Sequence, residues 1–150
     1  MLERLDIKST DKILDVGCGK GSALKTISKF PFGLVAGIEL SEVIASIARN
    51  NFRKTTYNQI EIFTGDILDF DFLSNFNIFY LYNPFSREIL QKFISKLYMV
   101  GYGHTIIYNN PIDPELMLAH GYTEKLRCQN TWGSPIIVYE YKTTRETSQI

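Results

Sequence analysis

Short apolar runs alternate along this chain with stretches whose apolar residues recur every three or four positions. An apolar run bounded by turn residues predicts a buried strand, and the longer period predicts an amphipathic helix. The predicted strands cover residues 13–16, 34–39, 59–63, 76–82 and 104–108. Helices are predicted over residues 22–30, after the N-cap residues Ser41 and Ser86, and over residues 114–120. This alternation indicates an α/β fold with a doubly wound, mostly parallel sheet.

The last two apolar runs, residues 122–128 and 135–141, have no helix between them, which favours an antiparallel pair. One single domain is predicted over residues 1–150, with a core from 13 to 141 and a frayed polar tail over residues 143–150. Two helices have well-defined predicted apolar faces. These faces hold Val43, Ile44, Ile47 and Ala48 in the second helix, and Ile89, Leu90, Phe93, Ile94, Leu97 and Met99 in the third.

Composition and charge narrow the classes of function. Hydrophobic residues make up 45% of the chain and charged residues 21%, the usual balance of a water-soluble globular protein. With 16 basic and 16 acidic residues, the chain lacks the basic excess typical of nucleic-acid binders. No apolar run is long enough to span a membrane, and the first residues lack the apolar segment of a signal peptide. We therefore predict a cytoplasmic protein with neither a nucleic-acid nor a membrane partner.

The cysteines and histidines do not predict a metal site. Cys18 and Cys128 are far apart, and no CxxC pair or Cys/His cluster is present, so we expect two reduced thiols. His104 and His120 lie on different predicted elements without partners at ligand spacing, and we interpret both as structural or surface residues.

Residues that directly follow the strands are the candidates for ligand binding, because an open α/β sheet binds ligands beyond the carboxyl ends of its strands. Gly17, Gly19 and Gly21 follow the first strand, where glycines let the backbone approach a ligand closely. Glu39 ends the second strand, where its carboxylate can accept hydrogen bonds from both hydroxyls of a ribose. Together they favour a nucleoside ligand, although Glu39 alone could be a solvated carboxylate.

Two positions, Ser22 and Asp15, indicate which kind of nucleoside ligand this chain binds. The dinucleotide fingerprint G-x-G-x-x-G requires a last glycine where this chain has Ser22. Asp15 lies two residues before Gly17, where a carboxylate faces a pyrophosphate badly and a cation well. The amino group and the sulfonium of S-adenosylmethionine are cationic.

The stretch from Leu14 to Gly21 resembles the first motif of the class I S-adenosylmethionine-dependent methyltransferases, and residues 37–41 resemble their second motif. The resemblance extends from about residue 13 to 141 and implies a Rossmann-like, seven-stranded sheet with an antiparallel last strand. It implies S-adenosylmethionine as cofactor, with its methionine part on the first motif, its ribose on Glu39, and its adenine near the turn after the third strand. The cofactor-binding residues expected on this basis are Asp15, Gly17, Cys18, Gly19, Glu39, Leu40, Asp66 and Ile67. For Leu40, packing in the core is an equally good interpretation.

Asn83 and Phe85 follow the fourth strand, where the family places its catalytic or substrate-facing motif. Methyltransferases that act on exocyclic amines carry two prolines in this motif, whereas this chain has Pro84 followed by Phe85 and Ser86. We predict that Asn83 orients the methyl acceptor and that Phe85 stacks on it or shields the sulfonium. The alternatives are an Asn-Pro turn and a core phenylalanine.

Two further segments belong at the same rim of the predicted sheet. Tyr108, Asn109 and Asn110 end the fifth strand, and Trp132 lies between the last two strands. These residues either line a substrate pocket or form surface turns. The segment ahead of the first strand is short, which leaves the site open or closed by a partner chain, such as a second copy in a homo-oligomer.

The function predicted from the sequence is methyl transfer from S-adenosylmethionine to a nitrogen or oxygen of a small molecule or a protein side chain. An aminopropyltransferase of the polyamine-synthase type is an alternative that neutral Asn83 disfavours, since a diamine calls for an acidic site. A non-catalytic S-adenosylmethionine-binding module is a second alternative. A nicotinamide-dependent oxidoreductase is disfavoured by Asp15 and Ser22.

Overall fold

The alternation of strands and helices predicted from the sequence is present in the structure, a computed structural model that describes residues 1–53 and 60–143. The strands within these residues are β1 Lys12–Val16, β2 Leu34–Glu39, β3 Ile60–Thr64, β4 Ile78–Tyr82, β5 His104–Asn109, β6 Thr123–Gln129 and β7 Pro135–Tyr141. The α-helices are α1 Ser22–Ile27, α2 Glu42–Arg53, α3 Arg87–Val100 and α4 Pro114–Ala119. Over the described part of the chain, these seven strands form one sheet in the order β3-β2-β1-β4-β5-β7-β6. The seven-stranded α/β fold with an antiparallel last strand is confirmed.

The chain divides into two compact units, residues 1–78 and 79–150, which we call the first and second unit. The assignment of all 150 residues to one domain stays a prediction. Gln59, the predicted start of the third strand, and the tail from residue 144 onward lie outside the described residues.

In the first unit, three parallel strands bring the predicted cofactor-binding residues to one edge. β1 pairs with β2, with Leu14 opposite Ala36, and β2 pairs with β3, with Gly37 opposite Ile62. Because all three strands point the same way, their carboxyl ends meet at that edge. The buried apolar residues of β1, α1, β2 and α2 that hold the strands in place are Ile13, Leu14, Val16, Leu24, Ile27, Val35, Ala36, Ile38, Ala45 and Ala48.

In the second unit, β7 runs antiparallel to both β5 and β6, so the predicted antiparallel pair is confirmed. It follows that β6 runs in the direction of β5, and that the loop between β6 and β7 returns at the carboxyl end of β5. The Asn110 amide donates to the Pro135 carbonyl at 2.8 Å and fixes that approach. α3 begins at its predicted cap, where Ser86 Oγ accepts from the Ile89 amide.

The helices α1, α2 and α3 differ from the prediction in extent or in the buried face, and α4 ends one residue earlier than predicted, at Ala119. α1 ends at Ile27 and not at residue 30, because Ser28 caps it and donates its hydroxyl to the Lys25 carbonyl. In α2 the buried residues are Ala45 and Ala48, whereas Val43 is 72% exposed and Ile47 is also exposed. In α3 Met99 is 90% exposed. Neighbouring apolar residues fit more than one helical face, so the periodicity alone did not fix which face is buried.

Within the described residues, every helix is too short or too polar to cross a bilayer.

Candidate cofactor and acceptor site

The glycine turn after β1 is hydrogen-bonded to the end of the neighbouring strand β2. The amides of Gly17 and Cys18 both donate to the Ile38 carbonyl, at 2.9 and 3.0 Å. Gly17 and Gly19 have φ values of 74° and 55°, in the left-handed region that glycine adopts at little cost. The turn predicted from the spacing is therefore present, and its shape is set by backbone contacts with β2.

The Glu39 carboxylate joins this turn to the segment that follows β2. Its Oε2 accepts from the Gly19 amide and its Oε1 from the Ser41 amide, each at 3.0 Å. A carboxylate offers about four acceptor positions, so two stay available for the hydroxyls of a ribose. The side chain is half-buried and also structural, a second role that the sequence prediction did not include.

Asp15 lies beneath the turn as a buried carboxyl group. It is 3% exposed, and its Oδ2 has no hydrogen-bond partner among the described residues. Burial, followed by the charge of Glu39, raises the pKa of Asp15 to about 7. A buried carboxylate without a counter-charge is costly, and a cationic group placed against Oδ2 would offset that cost. The predicted role of Asp15 toward a cation thus has a geometric basis.

Cys18, within the turn, is buried against Gly37 of β2. A Cβ on Gly37 would lie 2.7 Å from both Cβ and Sγ of Cys18 and 2.8 Å from Leu24 Cδ1. Burial, then the charges of Asp15 and Glu39, raises the pKa of the Cys18 thiol to about 12. Cys18 therefore stays a neutral thiol that supports the turn by packing.

Gly37→Ala is expected to lower the free energy of unfolding by about 1–3 kcal/mol, because the added methyl group overpacks the contact with Cys18 and Leu24. Without that contact, the same change in a strand would stabilise the protein by about 0.5–1 kcal/mol. A loss of stability would therefore support the close contact, and a gain would contradict it. Urea denaturation measures the change in stability. Cys18→Gly is the matched partner: the double variant should lose less stability than the sum of the single losses, and strict additivity would contradict this packing.

The turn after β3 lies beside Glu39. The Gly65 amide donates to the Glu39 carbonyl at 3.0 Å, and Asp66 Oδ1 accepts from the Leu68 amide at 2.9 Å. Asp66 is exposed, whereas the Ile67 side chain is buried in the core. Leu40 is 70% exposed, which rules out core packing as its explanation. The predicted cofactor-binding residues are thus brought together in the first unit, and their contacts with a ligand stay predictions.

The two residues predicted to act on the acceptor lie in the second unit, directly after β4. Asn83 has a φ of 41°, a left-handed conformation that asparagine tolerates better than most residues. The Phe85 ring is half-buried, and its centroid lies 5.5 Å from that of the buried Phe93. Backbone strain often collects at functional sites, which favours a role for Asn83. The packing against Phe93 shows that Phe85 is at least partly structural.

A relay of amide groups in the second unit was missed by the sequence analysis. Tyr80 Oη accepts from Asn109 Nδ2 at 3.0 Å, and Asn109 Oδ1 accepts from Asn130 Nδ2 at 2.9 Å. Asn130 Oδ1 in turn accepts from the amides of Trp132 and Ser134. The relay fixes the turn that carries the 86% exposed Trp132. Its members are far apart in sequence, and Asn130 ahead of Gly133 indicated only a turn.

Both histidines have hydrogen-bond partners within the second unit. His104 is buried, with Nε2 2.6 Å from Tyr122 Oη and Nδ1 3.1 Å from the Tyr102 carbonyl. Burial lowers the pKa of His104, so its ring favours the neutral form. His120 Nδ1 lies 2.8 Å from the Leu116 carbonyl in its own helical turn. These contacts fit the structural interpretation of both residues.

The chain is similar in sequence to known methyltransferases. A family model described as a methyltransferase domain matches residues 13–100, more than half of the chain. The protein-L-isoaspartate O-methyltransferase 2 of Pelobacter propionicus is 35% identical over 66 residues, which cover 44% of this chain and 29% of the relative. The protein-L-isoaspartate O-methyltransferase of Aeropyrum pernix is 41% identical over 69 residues, 44% of this chain and 26% of the relative. The chain thus matches less than a third of the length of these curated relatives.

Solved structures share the fold over nearly the whole chain. An RNA methyltransferase from Salinibacter ruber, in complex with S-adenosyl-L-homocysteine, has a TM-score of 0.73 and 19% identity over 94% of this chain and 87% of its own. The magnesium protoporphyrin IX methyltransferase of Synechocystis, with bound S-adenosylmethionine, has a TM-score of 0.66 and 17% identity over 85% of this chain and 67% of its own. At such identities the similarity shows the fold.

Proposed function

The chain belongs to the class I S-adenosylmethionine-dependent methyltransferase family, and we propose that it transfers the methyl group of this cofactor to a nitrogen or oxygen of a small molecule or a protein side chain. The observation that carries the proposal is the first unit's edge, where Glu39 accepts a hydrogen bond from the glycine turn and the buried Asp15 carboxyl group lies close enough to feel the charge of Glu39.

The residues of this edge fit the cofactor chemically. Asp15 offers the cationic amino acid part a buried oxygen that has no hydrogen-bond partner within residues 1–53 and 60–143. Glu39 retains acceptor positions for the ribose hydroxyls after binding the amides of Gly19 and Ser41. Exposed Leu40 provides an apolar surface for the adenine ring, next to the turn that holds Asp66. A bound cofactor supplies a methyl group already activated by a sulfonium, so the protein mainly has to position and desolvate the reactants.

Asn83 is the residue that we propose orients the acceptor. Its side-chain amide can accept from a substrate N–H or O–H and so direct the lone pair of the nucleophile. Pro84 restricts the backbone next to it, so that less conformational entropy is lost when a substrate docks. Support comes from its left-handed backbone directly after β4.

The acceptor is proposed as a class. The curated relatives are named for O-methylation of protein isoaspartate, but they match this chain over less than a third of their length. Incubation of the protein with methyl-labelled S-adenosylmethionine and cell extract, followed by identification of the labelled product, tests the proposal. Binding of the cofactor without any labelled product would instead favour a non-catalytic binding module.

Cofactor choice has a direct test in thermal unfolding. S-adenosylmethionine and S-adenosylhomocysteine at about a hundred times Kd should raise Tm by about 5–10 °C, because a ligand that binds only the folded state stabilises it. NAD and NADP serve as matched nucleotide controls and should leave Tm unchanged, since the chain has Ser22 where the dinucleotide fingerprint requires its last glycine. A larger shift with NAD than with S-adenosylhomocysteine would refute the methyltransferase proposal.

A further inference from the structure

Asp15 lies in surroundings that disfavour its negative charge. Its side chain is 3% exposed, and Oδ2 has no hydrogen-bond partner in the described part of the chain. The groups of the first unit that face it are the Glu39 carboxylate at the end of β2 and the Cys18 thiol of the glycine turn. Arg49 of α2 is engaged elsewhere, by Glu42 and by the Ile62 carbonyl. An ionised Asp15 would therefore be a second negative charge beside Glu39, without a counter-charge from the described residues of the first unit.

We propose that Asp15 is a neutral carboxylic acid in the ligand-free protein below neutral pH, and that it gives up its proton when the ammonium group of the cofactor binds. The inference rests on the proposed function, since it needs that cofactor. The charges balance: a neutral acid and an ammonium become a carboxylate–ammonium pair, and one proton passes to solvent. Burial, together with the Glu39 carboxylate, raises the pKa of Asp15 to about 7, which supports the same conclusion.

This coupling makes Asp15 a residue that determines ligand specificity. S-adenosylhomocysteine keeps the ammonium group and lacks the sulfonium, whereas methylthioadenosine keeps the adenosine and the thioether but lacks the amino acid part. Only the first can compensate the carboxylate, so only the first should bind with release of a proton. For S-adenosylhomocysteine, affinity should rise by about tenfold per pH unit from pH 5 to 7 and then level off, while methylthioadenosine should show a flat profile.

Isothermal titration calorimetry in two buffers of different ionisation enthalpy counts the protons released. For the unaltered protein and S-adenosylhomocysteine we expect about 0.9 proton at pH 6 and about 0.5 at pH 7, as a pKa near 7 requires. Asp15→Asn keeps the shape of the neutral acid and should bind with no proton release and a flat pH profile. Glu42→Gln removes an exposed carboxylate that pairs with Arg49 and should leave the release unchanged.

A second measurement needs no ligand. An acid whose pKa is raised on folding contributes stability that is present at low pH and is lost as the pH rises through the folded-state value. The urea midpoint of the unaltered protein should therefore fall between pH 5 and 7.5 relative to that of Asp15→Asn. Binding of S-adenosylhomocysteine without proton release, or equal release by Asp15→Asn, would overturn this inference alone. No binding at any pH would overturn it together with the proposed function.

Discussion

Glu39→Ala is expected to weaken S-adenosylhomocysteine binding by about 30-fold to several hundredfold, since two charge-assisted hydrogen bonds to the ribose are worth on the order of 2–4 kcal/mol. Isothermal titration calorimetry at a fixed pH measures the loss. The structure adds a second effect, because the same carboxylate accepts from the amides of Gly19 and Ser41. The free energy of unfolding of the variant, measured by urea denaturation, should therefore also fall by about 1–3 kcal/mol, because two amides lose their acceptor.

The ribose contact can be separated from support of the turn by changing the ligand. The unaltered protein should bind adenosine more tightly than 2′,3′-dideoxyadenosine, and Glu39→Ala should lose that preference, whatever its stability. Ser41→Ala is the matched control: its side chain caps α2, so it alters the same segment without removing a ribose acceptor and should keep the preference. A Glu39→Ala protein that still distinguishes the two nucleosides would show that the ribose is held elsewhere.

Replacement of Asn83 is expected to lower turnover of the true acceptor by roughly a hundredfold, the scale for loss of one oriented catalytic hydrogen bond. Binding of S-adenosylhomocysteine should stay nearly unchanged, because the proposed role concerns the acceptor. The φ of 41° decides which variant to make. Alanine would add strain of about 1 kcal/mol in the left-handed region, whereas Asn83→Gly removes the amide and tolerates the backbone. Steady-state rates per folded molecule and Tm are measured on the same preparation.

Asn83→Gly with intact Tm and lost turnover would separate a role in acceptor positioning from a role in turn formation. Asn110 has the other left-handed asparagine backbone in the described residues, with φ 54°, so Asn110→Gly shows what this exchange costs in stability. Asn83→Asp keeps an oxygen that can accept a hydrogen bond. It should therefore retain part of the rate for a methyl-accepting substrate that donates an N–H or O–H. A stable Asn83→Gly protein with full activity would remove Asn83 from the proposed site.

Local sequence determined the elements of this fold and the positions where a ligand could bind. The β2 bounds predicted from the apolar run, residues 34–39, are those of the structure, and Ser41 and Ser86 cap helices as expected. Such features depend on residues within a few positions of one another, so the pattern of one segment is enough to predict them. The glycines after β1 and the acid at the end of β2 likewise belong to short segments with a direct stereochemical reason.

Only the tertiary structure decided the electrostatic state of Asp15 and the second role of Glu39. The burial of Asp15 and the approach of Glu39 come from the pairing of β1 with β2, which joins segments that are far apart in sequence. The exposure of Leu40 and Met99 and the relay from Tyr80 through Asn109 to Asn130 were also settled only by packing. Periodicity identifies an apolar stripe but not the surface that covers it, and a buried carboxyl group acquires its pKa from neighbours that the linear sequence does not place.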